Sequence, residues 1–381
     1  MMHDFTLVIP TYNRSRQLAA LLSYLEGQNP DFRVLVLDSS RPEELAANRE
    51  RAALSSLDLE FAEFPDLEPS EKWRQGLRKV RTPFCSLCAD DDIVILEGVR
   101  HCLVSLRSNL AASVVQGYSF SFLSRPDGDM ELNNIVYFHP TIDDPSPLER
   151  LARLFQQYQA LSYGVFRTPA LQRTLDALQS LTQTLARELL WSALTAIGGH
   201  VIRLPHFSYG RSMGPSAAYD CWHPLEWFSK DPDSLFAEYL RYREVAAAAI
   251  VRRPDNEHHV DEIHGMLDLI HLRYLAQHTP DPAVQFIVEQ QIAGTDFADY
   301  WPRHEIHLPL YEAAGVRATP ELEGLGPMSI RGLERSYHLL PSFYAPRGID
   351  SPPMADIVRL IDVLNSYRPD ARCRPAAEGK T

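Results

Sequence analysis

The feature that most constrains the fold of this chain is a regular alternation of short apolar runs and amphipathic helical stretches between Thr6 and Leu110. The first run, Thr6–Ile9, is stopped by Pro10 and is typical of a strand buried on both faces of a parallel sheet. The helical stretch that follows carries leucines on one face. Strands that alternate with helices form βαβ units, so we predict an α/β fold with a Rossmann-like, mainly parallel sheet.

The same patterns place the individual elements along the chain. Strands are predicted at Thr6–Ile9, Arg33–Leu37, Leu59–Phe64, Phe84–Cys88, Ser113–Tyr118, Asn134–Phe138, Tyr163–Phe166 (as an edge strand) and His200–Leu204. Helices are predicted from Ser15 to Asn29 and at Arg41–Leu54, Glu71–Val80, Gly98–Leu110, Leu148–Gln159, Pro169–Ala196, Leu235–Val251, Val260–Gln277, Ala283–Ala293 and Met354–Asn365. The stretch Phe207–Trp222 is rich in Gly, Ser, Tyr and Pro, so it is predicted to be a loop.

Length and patterning together predict the domain organisation. A chain of 381 residues is long enough for two or three structural units. Strand patterns end near residue 224 and helical stretches separated by prolines follow. We therefore predict an α/β domain over residues 1–225, a helical C-terminal region over residues 226–369, and a flexible tail over residues 370–381.

The charge and hydropathy of the chain exclude several classes of protein. It has 37 Lys and Arg against 50 Asp and Glu, a formal net charge of −13, which disfavours binding to nucleic acid or anionic lipid. It contains no run of eighteen apolar residues, so no transmembrane segment is predicted. The N-terminus lacks the basic and apolar regions of a secretory signal. These features predict a cytoplasmic protein.

Two cysteines form a C-x-x-C pair that could indicate zinc or redox chemistry. Cys85 and Cys88 lie inside an apolar run, and no second C-x-x-C accompanies them. Small thiols are common in buried strands, so we predict buried, unreactive cysteines in a reducing compartment. The sequence also lacks the glycine-rich, zinc-binding and nucleophile motifs of dinucleotide dehydrogenases, P-loop enzymes, zincins and α/β-hydrolases.

A run of three carboxylates, Asp90-Asp91-Asp92, follows the fourth predicted strand. Ligands of open parallel sheets bind beyond the carboxyl ends of the strands, so this run should lie beside the residues that follow the first and second strands. Adjacent carboxylates repel one another, and a divalent cation is their natural compensator. Hard Mg²⁺ or Mn²⁺ binds carboxylates and keeps positions for phosphates, which points to a metal-bound diphosphate. The alternative is that the run caps the next helix and favours its dipole.

Three segments in this order resemble a family-two glycosyltransferase with the GT-A fold. They are TLVIPTYNR at residues 6–14, RVLVLDSS at residues 33–40 and FCSLCADDD at residues 84–92, and the resemblance covers roughly residues 4–215. It implies that the loop after the first strand and the aspartate after the second hold the nucleoside of a sugar nucleotide. Thr11, Tyr12 and Arg14 would then lie at the base and diphosphate, and Asp38 at the nucleobase or ribose. Taken alone, Tyr12 could be a packing aromatic and Asp38 a turn residue.

The acidic run resembles the DXD element of that family. Its usual form is Asp-x-Asp-Asp, and Ala89 stands at the first of these places. The resemblance implies that Asp91 and Asp92 bind the metal, Mn²⁺ or Mg²⁺, and that Asp90 binds the ribose. The family often places a basic residue near the donor where Lys72 occurs. The alternative for Lys72 is a solvated helix lysine.

The resemblance also implies an inverting reaction with a carboxylate base in the second half of the domain. Glu188 is the predicted base and Asp220 the runner-up, because Arg187-Glu188 partly matches the family's base-bearing helix. The stretch after Pro205 could close over the donor, with His206 reaching the metal and Arg211 neutralising the diphosphate. Trp191 could stack on a sugar, although core packing is favoured.

The resemblance therefore implies a metal-dependent glycosyltransferase. It would move a sugar from a nucleotide-diphosphate donor, with a UDP-sugar favoured, to a hydroxyl of a carbohydrate or glycoconjugate acceptor. The helical region could shape the acceptor pocket, form a homodimer or dock a partner. The alternative is a non-catalytic sugar-nucleotide-binding or scaffold protein on the same fold, because a fold alone does not guarantee chemistry. A sugar nucleotidylyltransferase is disfavoured, since it would need a glycine-rich loop after the first strand.

Overall fold

The computed structural model describes residues 2–124, 130–136, 138–213, 224–277, 328–329, 340–345 and 348–367. The strands are β1 (Phe5–Thr11), β2 (Arg33–Asp38), β3 (Leu59–Glu63), β4 (Phe84–Leu87), β5 (Ile93–Val94), β6 (Ala112–Ser124), β7 (Met130–Val136), β8 (Val165–Arg167), β9 (His200–Ser212) and β10 (Met328–Ser329). The helices are α1 (Ser15–Gln28), α2 (Pro42–Ala53), α3 (Pro69–Leu77), α4 (Leu96–Ser108), α5 (Pro147–Gln156), α6 (Thr168–Ala177), α7 (Thr184–Gly198), α8 (Pro224–Lys230), α9 (Pro232–Val251), α10 (Val260–Gln277), α11 (Leu340–Tyr344) and α12 (Met354–Ser366). The predicted helix at Ala283–Ala293 and the predicted tail lie outside the described residues.

All of these strands belong to one mixed sheet. Its order is β10-β7-β6-β8-β4-β1-β2-β3, with β9 alongside β6 and β5 alongside β9. Strands β3, β2, β1 and β4 are parallel, as the βαβ pattern predicts. Their carboxyl ends therefore meet at one edge, where Thr11 pairs with Asp38. This edge holds the acidic run that follows β4.

The prediction that Tyr163–Phe166 forms a strand at the edge of the sheet is wrong about where the strand lies. It forms β8, which lies between β4 and β6 and is antiparallel to both. Val165 and Phe166 are buried on opposite faces of the sheet, which explains the central place of so short a strand. A second difference is that the long helix predicted from Pro169 is broken by a 3₁₀ turn at Leu178–Ser180.

The prediction of a loop at Phe207–Trp222 is wrong as far as Ser212. Strand β9 continues beside β6 to that residue, with Phe207 and Tyr209 buried. Gly210 permits this close approach, because a Cβ there would come within 2.4 Å of a ring atom of Phe120. The Gly, Ser and Tyr content that favoured a loop instead belongs to a strand packed against aromatic side chains. Residues 214–223 lie outside the described part of the chain.

Two apolar layers cover the two faces of the sheet. The alternation is visible in β1, where Val8 belongs to one layer and Leu7 and Ile9 to the other. Helices α5, α6, α7, α9 and α10 contribute to the layer of Val8, and α1, α4 and α12 contribute to the opposite layer. Helices beyond residue 224 thus share the cores of the sheet. The division at residue 225 stays a prediction.

The prediction of buried thiols is confirmed. Cys85, Cys88 and Cys102 are buried and free. Burial raises the pKa of the Cys85 and Cys102 thiols to about 12, which keeps them protonated and unreactive. Within the described residues, no helix has both the length and the hydropathy required to cross a bilayer.

Candidate functional site

The loops that follow β1 and β2 are tied together at the carboxyl edge of the sheet. The backbone N–H of Asn13 donates to Ser40 Oγ at 2.8 Å, and the N–H of Arg41 donates to Asn13 Oδ1 at 2.9 Å. Asn13 has a φ of 55°, a left-handed conformation that asparagine tolerates better than most residues. Tyr12 precedes this turn and its side chain stands 54% exposed at the rim of the edge. It is free to meet a flat ligand and is not a packing aromatic.

Lys72 on α3 links the segments that follow β1 and β2 through hydrogen bonds from its side chain. Its Nζ donates to the carbonyl oxygen of Thr11 at 2.8 Å and to Ser39 Oγ at 2.9 Å. The residue is only 2% exposed, so the alternative of a solvated helix lysine is wrong. Burial lowers the pKa of Lys72 to about 8, although the nearby carboxylates of Asp38 and Asp90 favour its charged form. A buried positive charge thus lies behind the edge.

Asp38 is fully buried at the end of β2. Its Oδ1 accepts from the backbone N–H of Ser40 at 2.7 Å, and its Oδ2 accepts from Asn48 Nδ2 at 2.7 Å. Both oxygens therefore shape the loop after β2. Contact between Asp38 and a nucleoside stays a prediction, whereas its part in positioning Ser40 is visible.

Asp90 and Asp91 turn toward the loop after β1. Thr11 Oγ1 donates to Asp90 Oδ2 at 2.7 Å, and Arg14 Nη1 contacts Asp90 Oδ1 at 3.2 Å and Asp91 Oδ2 at 2.6 Å. Burial raises the pKa of Asp90 to about 6, helped by the charge of Asp91 and opposed by Thr11 and Arg14. The structure thus brings together four of the predicted site residues from two distant segments.

Asp92 turns instead toward β9. Its Oδ2 accepts from the hydroxyl of Tyr209, and its Oδ1 accepts from the N–H of Ser212 at 2.7 Å. Burial raises the pKa of Asp92 to about 7, as does the charge of Asp91, while Arg211 on β9 opposes the shift. The assignment of Asp92 to a metal stays a prediction that this placement does not favour.

The acidic run does not cap the following helix. Strand β5 intervenes, and the N-cap position of α4 is Ile95. The alternative that the three carboxylates serve as helix caps is therefore wrong.

The donor set at this edge fits a hard divalent cation completed by phosphate. Asp90 and Asp91 converge on the same guanidinium nitrogen, so a cation placed there would meet both carboxylates. Within the described residues, no three His, Cys, Asp or Glu side chains are grouped closely enough to form a complete metal site. Mg²⁺ and Mn²⁺ commonly bind one or two carboxylates plus substrate phosphates, which is the arrangement this edge allows.

Glu188 lies on α7, beside the helix that carries Lys72. Arg187 Nη1 contacts Glu68 Oε1 at 2.6 Å, next to the start of α3. The hydroxyl of Tyr158 donates to Glu188 Oε1 at 3.1 Å and lies 3.2 Å from Ser192 Oγ. Glu188 is thus a partly buried carboxylate held by a tyrosine. Its role as a base stays a prediction, and the runner-up Asp220 lies outside the described residues.

The two residues of the stretch predicted to close over the donor, His206 and Arg211, both lie in strand β9. His206 Nδ1 lies 2.8 Å from Asp356 Oδ2 on α12, and its ring stacks on His101 of α4 with 3.9 Å between centroids. These partners argue against His206 as a metal ligand. Arg211 lies on β9, close enough to influence Asp92, and not in a loop. Trp191 is buried against Trp73 and Phe166, so the favoured interpretation of core packing is confirmed.

Sequence reasoning missed residues that support the acidic run from behind. The ring of Tyr163 stacks on that of Tyr209 with centroids 4.3 Å apart, and the Tyr209 hydroxyl also accepts from the N–H of Ala89 at 3.3 Å. Asn48 holds Asp38 from α2. The signal for Tyr209 was hidden because β9 was predicted to end before it.

Solved glycosyltransferase structures resemble the chain over most of its length. TarS 1-349 from S. aureus covers 97% of this chain and 93% of its own at 17% identity, with a TM-score of 0.48. The same protein in complex with UDP-GlcNAc gives 17% identity and a TM-score of 0.49 with the same coverage. The mannosyltransferase PcManGT from Pyrobaculum calidifontis, in complex with GDP-Man and Mn²⁺, covers 83% of this chain and 88% of its own at 14% identity, with a TM-score of 0.40.

No model of a known protein family matches the sequence, and no curated protein matches it. The strand order, the parallel block of β3, β2, β1 and β4, and the acidic run after β4 agree with the predicted fold class. In the described residues the chain forms a mixed α/β sheet with helices on both faces, which is the arrangement that the predicted GT-A fold class requires. Family-two membership stays a prediction.

Proposed function

We propose that the protein is a metal-dependent glycosyltransferase that moves a sugar from a nucleoside-diphosphate donor, favouring a UDP-sugar, to an acceptor hydroxyl with inversion. The observation that carries this proposal is the hydrogen-bonded group at the carboxyl edge of the sheet. Side chains after β1 and β4 contact one another there, and Lys72 ties in the loop after β2. Such a group gathers cations, carboxylates and an exposed aromatic at the crevice where parallel sheets bind ligands.

Each part of this edge suits one part of a nucleotide sugar. The exposed ring of Tyr12 offers a stacking surface for the base. Arg14 would bind the diphosphate, and a contact of Asp90, which Thr11 holds, with the ribose stays a prediction. Asp91 would hold the metal together with Oδ1 of Asp90, and the metal would stabilise the charge of the departing diphosphate when bound. Asp92 would position the run from the side of β9.

Glu188 would act as the base. A carboxylate that takes the proton from an acceptor hydroxyl makes that oxygen a better nucleophile for the anomeric carbon. The hydrogen bond from Tyr158 holds the carboxyl group of Glu188 in one orientation, which a base needs in order to meet the hydroxyl proton. The acceptor, a carbohydrate or glycoconjugate, would approach between α7 and the donor.

Nucleotide binding tests the first half of the proposal. A ligand that binds the folded state raises Tm by mass action, so UDP, GDP and dTDP are compared with and without Mn²⁺. We expect one nucleotide to raise Tm in a metal-dependent way, and we expect Asp91→Asn to abolish the metal-dependent part of that rise. Asp58→Asn is the matched control, because Asp58 is 70% exposed and pairs only loosely with Arg33 at 3.7 Å. An equal response in Asp91→Asn and wild type would contradict the metal assignment.

Glu188→Gln tests the second half. The amide cannot accept the proton, so turnover should fall by about 10²–10⁴-fold while nucleotide affinity stays unchanged. Turnover is measured as release of nucleoside diphosphate from donor in the presence of acceptor, with Glu50→Gln at an exposed position of α2 as control. Retained turnover would move the base role to another residue. Nucleotide binding without turnover in the wild type, across sugars and acceptors, would favour the non-catalytic alternative.

A further inference from the structure

Arg14 lies between the carboxylates of Asp90 and Asp91, the two side chains that would hold the proposed metal ion. One nitrogen, Nη1, lies 3.2 Å from Asp90 Oδ1 and 2.6 Å from Asp91 Oδ2. The side chain of Asp90 is 5% exposed, whereas those of Asp91 and Arg14 are 27% and 40% exposed. The guanidinium therefore reaches the pair from the solvent side and can leave it without disturbing the core.

In the described part of the chain, Arg14 is the cation in ion-pair contact with Asp90 and Asp91, while Lys72 influences the charge of Asp90 from behind the loops. Thr11 gives Asp90 a neutral hydroxyl, and the buried ammonium of Lys72 donates to a carbonyl and a hydroxyl of the two loops. Asp92 accepts hydrogen bonds from two neutral donors of β9, and the charge that acts on it from β9 is that of Arg211. Adjacent carboxylates without a cation repel one another, so departure of Arg14 is costly unless another cation arrives.

We infer that Arg14 is an internal counter-ion that makes metal binding depend on the nucleotide. In the free protein the guanidinium competes with Mn²⁺ or Mg²⁺ for Asp90 and Asp91. The phosphates of a bound nucleoside diphosphate offer the guanidinium an alternative, bidentate partner and supply oxygen ligands to the metal. Metal and nucleotide therefore bind together. This inference rests on the proposed function of the same edge.

The inference predicts a measurable coupling between the two ligands. Because binding free energies are linked, the nucleotide must strengthen Mn²⁺ binding by the same factor by which Mn²⁺ strengthens nucleotide binding. Removal of Arg14 frees the carboxylates for the metal in the absence of nucleotide, and it removes the partner that the phosphates would have gained. Both effects should reduce the factor by which the nucleotide and Mn²⁺ strengthen each other's binding.

Calorimetric titrations of the full chain test this, with Mn²⁺ alone, with UDP, GDP or dTDP alone, and with each nucleotide in the presence of Mn²⁺. Arg14→Gln should bind Mn²⁺ alone about tenfold more tightly than wild type, and its nucleotide–metal coupling factor should fall by about tenfold. Arg14→Lys keeps the positive charge but loses the two-pronged guanidinium group. Its Mn²⁺ affinity and its coupling factor should lie between those of wild type and Arg14→Gln. Addition of Asp91→Asn to Arg14→Gln should abolish the gain in Mn²⁺ affinity, which places it at this pair.

Arg107→Gln controls for the loss of one positive charge. Arg107 Nε contacts Asp4 Oδ2 at 3.0 Å just before β1, at the opposite end of the strands, so its loss should leave Mn²⁺ affinity unchanged. Equal Mn²⁺ affinity in wild type and Arg14→Gln, including a failure of both to bind the ion, would overturn the inference. So would an unchanged coupling factor. Failure of all three nucleotides to bind the wild type would overturn the proposed function, and the titrations with Mn²⁺ alone would still decide the role of Arg14.

Discussion

At the scale of single residues, the site depends on Lys72, whose burial decides between the two interpretations that its sequence position allowed. Lys72 gains hydrogen bonds to Thr11 and Ser39, but its charge is desolvated, and burial lowers its pKa to about 8. The free lysine side chain titrates near pH 10.4. Between these values the unfolded chain holds a proton that the folded chain has released.

This difference predicts how stability depends on pH. Where the unfolded state binds more protons, the free energy of unfolding rises with pH, here between about pH 8 and 10 by up to about 1.4 kcal/mol per pH unit. Lys72→Met removes the titrating group, so its stability should lose this rise relative to wild type. Urea denaturation at several pH values measures it, with Lys79→Met as control because Lys79 is 46% exposed. Parallel profiles for wild type and Lys72→Met would contradict the prediction.

Many residues of the site were predictable individually, because they lie in short segments that directly follow predicted strands. Thr11, Arg14, Asp90 and Asp91 follow strands and meet at one edge, as a parallel sheet requires. The roles of single carboxylates within the run were not predictable. Neighbouring aspartates point in different directions, and only the partner strands decide which one faces the solvent.

At the scale of elements, β9 supports the acidic run from its place between β6 and β5 in the sheet. Its residues Tyr209 and Ser212 hold Asp92, and its pairing with β5 fixes the segment after the acidic run. The sequence predicted β9 only to Leu204, because glycine, serine and tyrosine are also typical of loops. Packing against the aromatic residues of β6 outweighs that local preference.

Tyr209→Phe tests this support. The change keeps the ring that stacks on Tyr163 but removes the donor to Asp92 and the acceptor for the N–H of Ala89. A buried carboxylate oxygen left without its donor costs about 1–3 kcal/mol, so the free energy of unfolding should fall by that amount. Denaturation in urea measures the loss, and Tyr12→Phe serves as control at an exposed ring. A change below about 0.5 kcal/mol, typical of a neutral surface substitution, would show that this support is dispensable.

At the scale of the whole molecule, helices from both ends of the chain share the layers around one sheet. Tyr24 on α1 packs edge-to-face on Tyr367 after α12, and the Tyr118 hydroxyl of β6 donates to the carbonyl of Asp350. The boundary between domains that the change of pattern near residue 224 predicts stays a prediction, and periodicity alone does not reveal which surface a helix covers. The α/β fold class of residues 1–225 was predictable because each βαβ unit is formed by residues that are close together in the sequence.

Leu360→Ala tests whether the C-terminal helices and the sheet unfold as one unit. Leu360 on α12 is 1% exposed, so its truncation should lower the free energy of unfolding by about 2–5 kcal/mol. Because α12 packs in the layer that includes α1 and α4, tryptophan fluorescence and far-UV circular dichroism should shift together in one transition. Val358→Ala, on the exposed side of the same helix, is the control. A separate early transition in Leu360→Ala would show that the helical region unfolds independently.

The hydrogen bond from Ser212 to Asp92 spans 120 residues of sequence and has a consequence for the order of synthesis. A ribosome that adds about 5–20 residues per second needs roughly 6–24 s to make that intervening stretch. The first βαβ units can pair during this interval, while the strand that secures the acidic run is still being made. The parallel strands of a nascent chain can therefore form before the carboxyl edge of the sheet is complete. A product released before Ser212 is added would contain the acidic run without the hydrogen bond from Ser212 to Asp92.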